Sequence, residues 1–235
     1  MHTLWHFRLC PLSRSIRMAL SESGIACALV EETPWDWRPQ FLDINPAAEL
    51  PVLQLDDGQL LCGTYAISEF IAEEGIIPSL DDTAGSAPIQ LFPGTREDRA
   101  EVRRLVDWFN GKMNREVTRE FLYEKVYSRM AGGSRHTPDV EMLRAIRSNL
   151  RYHLSYIGFL AYQRRWLAGD AISFADLAAA AHLSTIDYLG EVPWEENPAA
   201  KDWYMRVKSR PSLRAILADR VPGAHPPAHY GELDF

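Results

Sequence analysis

The sequence predicts two domains of unlike class: a small α/β domain over residues 1–76 and an all-helical domain over 96–220. A linker at 77–95 joins them, and an extended tail at 221–235 follows. Three observations carry this. Up to Glu74, short β-rich runs alternate with helical stretches in the order β-α-β-(α)-β-β-α. Gly75, Pro78, Gly85, Pro88, Pro93 and Gly94 then punctuate the chain as a domain boundary does. Beyond them the apolar residues recur only at helical spacing.

Residues 3–7 alternate and read as a strand, and Arg8 to Leu12 reads as a loop. A helix opens at Ser13 or Arg14, with Ile16, Met18, Ala19 and Leu20 on its apolar side and Gly24 as its C-terminal stop. Cys27 to Val30 is a second strand, which a right-handed crossover makes parallel to the first. Glu32 to Asn45, with Trp35, Trp37, Phe41 and Leu42, is irregular or weakly helical. Val52–Leu55 and Gln59–Cys62 flank Asp57-Gly58, a strong tight-hairpin signal. Thr64 to Glu74 is a helix with Ile67, Phe70 and Ile71 on one side.

In the second domain one long helix runs from about Glu97 to Met130, through Val102, Leu105, Phe109 and Val117, until Gly132-Gly133 breaks it. Another spans about Asp139 to Arg165. Ser173-Phe174-Ala175-Asp176 has the spacing of a capping box, with Asp in place of the commoner Glu and Ile172 and Leu177 as its staple. The helix behind it is apolar nearly all round, which predicts the buried centre of the domain. Shorter helices follow near 198–209 and 212–219.

The chain has 235 residues and 46% hydrophobic residues, enough for a sizeable core. It has no run of 18 apolar residues, so no membrane span is expected. Met1 to Arg8 does not read as a signal peptide. Three cysteines, Cys10, Cys27 and Cys62, make no disulfide framework, and a reducing cytoplasm is the simpler reading. Lys and Arg number 25 against 32 Asp and Glu, and the net charge of −7 argues against nucleic-acid binding. No metal site is expected, because His225 and His229 have no third ligand beside them. There is no phosphate-cradling glycine loop and no Gly-x-Ser-x-Gly elbow.

Three segments in this order and spacing resemble the glutathione S-transferase superfamily of cytosolic type. Cys10-Pro11-Leu12-Ser13-Arg14-Ser15-Ile16-Arg17 looks like its active-site loop and first helix. Asn45-Pro46 followed by Glu49-Leu50-Pro51-Val52-Leu53 looks like its cis-proline segment, and Ser173 to Asp176 like its capping box. The resemblance implies the glutathione S-transferase fold, with a thioredoxin-like first domain. It implies a cis Leu50–Pro51 bond and a backbone at Leu50 that faces the cysteinyl part of glutathione. Cys10 takes the place where some relatives carry a nucleophilic cysteine and others a serine. A cysteine just before a helix N-terminus is where thiolate character is expected to rise, and the alternative is a small loop residue without chemistry. Cys27 and Cys62 lie in strand patterns and read as core.

One departure weakens the glutathione reading. Relatives place an acid or amide before a serine at the turn that opens the third helix, and this chain has Gly63-Thr64. Thr64 keeps a hydroxyl, but the missing charge-assisted contact is worth roughly 1.5–3 kcal/mol. That is roughly ten- to a hundredfold in affinity. No cofactor is therefore required, and glutathione is expected to bind weakly.

A bacterial branch of the superfamily, that of FtsZ-localized protein A (FzlA), is similar over the C-terminal half. The similarity lies in Arg115-Glu116-Val117-Thr118-Arg119, Leu122 to Val126, Asp187 to Trp194, Ala200 to Tyr204 and the tail from His229 to Phe235. It implies a cytoplasmic homodimer that binds filaments of the division protein FtsZ and regulates cell division, with little or no transferase chemistry. In the tail, Pro226-Pro227 stiffens the chain, and His229, Tyr230, Leu233 and Phe235 are candidate anchors for a partner. The alternative is that the tail packs on its own domain. Arg115 and Arg119, among seven basic residues of the long helix, are candidate contacts to an acidic filament. Interleaved Glu101, Glu116, Glu120 and Glu124 offer the plainer reading of a solvated face. Trp35, Trp37 and Arg38 either present an aromatic and cationic surface or cover the sheet edge. The competing function is a glutathione S-transferase or glutathione-dependent thiol oxidoreductase that uses Cys10.

Overall fold

A computed structural model describes residues 1–74, 89–131 and 137–232. The N-terminal sheet is formed by β1 (His2–His6), β2 (Cys27–Glu31), β3 (Val52–Gln54) and β4 (Leu60–Cys62), in the order β2-β1-β3-β4. β1 pairs parallel to β2, with Leu4 opposite Leu29. It pairs antiparallel to β3, with Leu4 opposite Leu53, and β3 pairs antiparallel to β4. The crossover between β1 and β2 is α1 (Pro11–Glu22), and α2 (Pro39–Ile44) and α3 (Thr64–Glu74) complete the domain. Gly24, at φ 68°, ends α1 in the left-handed conformation that a glycine enters at little cost.

α1 begins at Pro11, two to three residues before the predicted start. Proline stands at the first helical position, where its fixed φ suits the helix and its missing N–H costs nothing. Cys10 is thereby the N-cap rather than a mid-loop residue.

The C-terminal domain opens with one long helix, α4, over residues 96–130. Thr95 caps it in a full capping box with Asp98. It is α-helical over Arg96–Asp107 and π-helical over Trp108–Thr118 and again over Tyr123–Tyr127. α5 (Val140–Gln163), α6 (Phe174–Tyr188), α7 (Pro198–Lys208) and α8 (Pro211–Leu217) follow. The predicted break at Gly132-Gly133 lies outside the described residues, as do residues 77–88 of the predicted linker and the last two of the predicted first domain, 75–76. The described remainder of that linker is bound tightly. Ile89 N–H donates to Glu22 O at 3.2 Å, Phe174 N–H donates to Leu91 O at 2.8 Å, and Leu91 is buried.

α6 is buried along its whole length. Asp176 anchors its start by accepting from Ser173 N–H (3.0 Å), Leu167 N–H (2.9 Å) and Trp203 Nε1–H (2.9 Å). Because α1 packs along α6, one apolar core runs from Leu4, Ile16 and Leu53 of the sheet domain to Phe109, Leu150 and Trp203 of the helical one. A second cluster lies apart from it. It joins Phe7, Leu9, Leu50 and Val52 to Leu122 and Val126 of α4, Tyr188 of α6, and Val221 and Tyr230 of the tail.

Candidate functional site

The second cluster contains the predicted thiol site. Cys10 packs against it, and its Sγ accepts from Ser13 N–H at 3.5 Å. Burial pushes the Cys10 thiol above its ordinary value, and the contacts to Ser13 and Leu12 and the charge of Arg14 only offset this in part. The expected gain in thiolate character is therefore reversed here. Desolvation outranks one long N–H contact, and Arg14 turns its guanidinium elsewhere. Its Nε donates to Arg8 O at 2.6 Å and its Nη1 to Ser184 Oγ at 2.9 Å, while Nη2 lies 4.0 Å from Asp219.

Three aromatic rings gather beside the thiol. Trp35 lies 5.0 Å from Phe7 and 4.8 Å from Tyr127, with Phe7 and Tyr127 5.9 Å apart. Burial and the neighbouring Cys10 raise the Tyr127 phenol well above its ordinary value, so it stays neutral. Sequence reading passed over Tyr127, because its place at the end of the second π-helical turn is invisible in a 3.6-residue pattern. Trp35 belongs to this cover, whereas Trp37 is exposed at φ 46° and Arg38 pairs with the buried carboxylate of Glu32.

The Leu50–Pro51 peptide bond is cis. Leu50 is buried, and Pro51 O accepts from Gly63 N–H at 3.0 Å, so the cis-proline segment and the turn before α3 are held together. Gly63 has φ 84°, and no atom lies within 4 Å of where a side chain would start. Thr64 opens α3 beside this space. The structure thus brings Cys10 and Leu50 to one cluster, ties Pro51 to the turn at Gly63, turns Thr64 to a neighbouring cavity with Ser68, Arg103 and Asn110, and places Gly63 where relatives carry the acid.

The tail candidates separate. Leu233 and Phe235 lie outside the described residues. Tyr230 is buried, its ring edge-on to Tyr188 at 5.2 Å, so in this arrangement it serves the chain's own core and presents no surface to a partner. His229 is half exposed, and its Nε2 lies 3.1 Å from the buried Asp187 carboxylate. Trp194 Nε1 donates to the same oxygen at 2.8 Å.

The basic face of α4 is largely neutralised. Arg103 pairs with Glu69, Arg104 with Glu101, Lys112 with Glu116, Arg119 with Glu120 and Lys125 with Glu191. Arg115 makes no ion pair within 4.0 Å among the described residues, and its guanidinium lies back along Gly111. No hydrogen bond or ion pair among the described residues joins Arg115 or Arg119 to His229 or Tyr230. No group of three or more metal-ligating side chains occurs among the described residues. No described helix is long and apolar enough to cross a membrane.

Comparison with known proteins places these features. Residues 4–75 match the glutathione S-transferase N-terminal domain family, and residues 133–211 match the corresponding C-terminal domain family. The chain is 45% identical to FtsZ-localized protein A of Caulobacter vibrioides, over 99% of this chain and 98% of that one. A solved structure of FzlA from Caulobacter crescentus superposes with a TM-score of 0.90 at 43% identity, covering 100% of this chain and 99% of the other. A glutathione S-transferase from Sinorhizobium meliloti superposes with a TM-score of 0.91 at 46% identity, with both chains fully covered.

Proposed function

The chain belongs to the glutathione S-transferase family, and from that premise we propose that it binds FtsZ filaments and regulates bacterial cell division, with a degenerate glutathione site. The observation that carries this reading is similarity along the whole chain to FtsZ-localized protein A. The site agrees with a lost enzymatic role. The Cys10 thiol is pushed up by burial, the aromatic rings of Phe7, Trp35 and Tyr127 stand beside it, and Gly63 supplies no acid. We read the protein as a cytoplasmic homodimer, with no cofactor required and without nucleic-acid or membrane partners. Arg115 is the favoured contact to the filament, ahead of Arg119, because Arg119 is already engaged with Glu120. Co-sedimentation with assembled FtsZ at low salt tests the partner. Wild-type protein should pellet with filaments and stay in solution without them, and its failure to do so removes the division reading.

The second reading, a glutathione S-transferase or thiol oxidoreductase using Cys10, rests on the cysteine at the N-cap of α1 next to a cis-proline segment. Calorimetric titration with glutathione decides it. Sub-millimolar binding, with turnover lost in Cys10→Ala, would reverse the order of the two.

A further inference from the structure

The tail and the Cys10 loop share their partners. Tyr188, near the end of α6, binds the tail twice: its hydroxyl donates to Ala224 O at 2.7 Å and accepts from Val221 N–H at 3.0 Å. The same ring receives Tyr230 edge-on and has the Arg14 guanidinium 5.8 Å from its centre. Arg14 in turn grips Arg8 O, two residues before Cys10, and Thr185 Oγ1 donates to Leu9 O at 3.1 Å. Arg8 itself donates to Arg220 O at 2.9 Å, and Arg17 and Arg14 both face Asp219. Both carbonyls that precede Cys10 are thus fixed by groups that also hold the tail or adjoin those that do. Cys10, Ala224 and Tyr230 pack in one apolar cluster, separate from the core that carries the fold.

We propose that the segment 219–231 is a strap whose docking restricts access to the Cys10 thiol, so that the docked tail and the shielded thiol are one conformational state. Local opening of such a unit costs less than global unfolding, because only Val221, Ala224 and Tyr230 of the strap leave the cluster while the rest of it stays packed. By linkage, whatever draws the tail out exposes the Cys10 thiol, and whatever reacts with or binds the exposed thiol loosens the tail. The inference is independent of which partner the protein binds and of whether glutathione binds.

Alkylation by iodoacetamide, mapped peptide by peptide on the full-length protein, tests it. Cys10, Cys27 and Cys62 report separately, and Cys62, exposed on β4, is the internal control. In Tyr230→Ala, Cys10 should react about tenfold faster than in wild type, with Cys27 and Cys62 unchanged. Tyr188→Phe keeps the ring and deletes both hydroxyl contacts to the tail, so it should give a smaller acceleration at Cys10 alone. A Cys10 rate within about twofold of wild type in folded Tyr230→Ala overturns the proposal, as does equal acceleration of all three cysteines. If Tyr230→Ala does not fold, Tyr188→Phe decides: a faster Cys10 alone supports the strap, and an unchanged Cys10 overturns it.

Discussion

Gly63→Asp should restore part of a glutathione site, and the structure sets both sides of the account. The residue stands at the turn into α3, at φ 84°, with open space where a side chain would start. Sterics therefore do not exclude an acid, and only the backbone resists it. A non-glycine residue in the left-handed region costs roughly 1–2 kcal/mol, least for Asn and Asp, whose short side chains hydrogen-bond locally. A charge-assisted contact to an ammonium group contributes about 1.5–3 kcal/mol. Ten- to a hundredfold tighter binding than wild type is thus expected, at roughly 1.4 kcal/mol per tenfold. A small loss of melting temperature should accompany it. Calorimetric titration with glutathione reads the first, and thermal unfolding reads the second. Gly63→Ala should show the stability loss without the gain in affinity. If folded Gly63→Asp binds no better than wild type, the missing acid is not what weakens the site, and the aromatic cover over Cys10 becomes the cause. If wild type already binds below millimolar, the argument from Gly63 fails at its first step.

Other outcomes follow from the same geometry. Arg115→Glu should weaken FtsZ co-sedimentation by roughly fivefold, about 1 kcal/mol for an exposed charge, and Arg119→Glu by less. Added salt should reproduce the loss. Burial lowers the pKa of His6 to about 4 and that of His182 to about 3, both from an ordinary value of 6.5. Their folded values are depressed, so their stability contribution is complete above pH 6.5, drains as the pH falls below it, and is exhausted at about 4 for His6 and about 3 for His182. Melting temperatures of wild type and His182→Gln, measured from pH 7 to 4.5, should converge as the pH falls. Asp176→Ala strands buried donors on Leu167, Ser173 and Trp203, and should cost about 3–5 kcal/mol, or roughly 10 °C in Tm. An unchanged Tm would mean that water replaces the carboxylate.

The order of elements was legible because it rests on period and punctuation. Where the sequence misled, a single physical fact explains each case. Pro11 looked like part of a loop, but at the first helical position proline starts a helix as readily as elsewhere it stops one. The π-helical turns of α4 left a trace that a 3.6-residue template averages away. Phe109, Met113, Val117 and Phe121 are all fully buried at intervals of four, a spacing that would drift around an α-helix. Cys10 stands at the N-cap of α1, nearer the helix than the loop reading put it, and its chemistry was not legible. A helix N-terminus lowers a thiol pKa and burial raises it, and only the packing of Phe7, Trp35 and Tyr127 shows that burial is the larger effect. Tyr230 had two readings, because a tyrosine in a proline-rich tail is an equally good anchor for a partner or for its own domain.

On the proposed reading, charge decides where an acidic chain can approach a filament taken to be acidic as well. With a net charge of −7, the protein gains nothing from its average field, so attraction must come from a local excess of positive charge. α4 looked like such an excess in sequence, yet Arg103, Arg104, Lys112, Arg119 and Lys125 each face a glutamate. Paired surface cations are poor attractors, since a new acidic partner must displace the old one for little net gain. Arg115, like Arg99 and Arg129 of the same helix, makes no ion pair among the described residues. A few unpaired arginines spread along a helix steer association weakly over long range, but one can fix register once apolar contacts form. The apolar contacts must then come from exposed side chains such as Trp37 or Tyr123, or from a tail that leaves its place. The two routes make opposite demands on Tyr230. Docking with the strap in place leaves the Cys10 thiol shielded in the complex, and docking through the tail exposes it. Cys10 alkylation measured on the FtsZ-bound protein therefore separates them: protection equal to that of the free protein assigns the interface to the exposed surface, and acceleration assigns it to the strap.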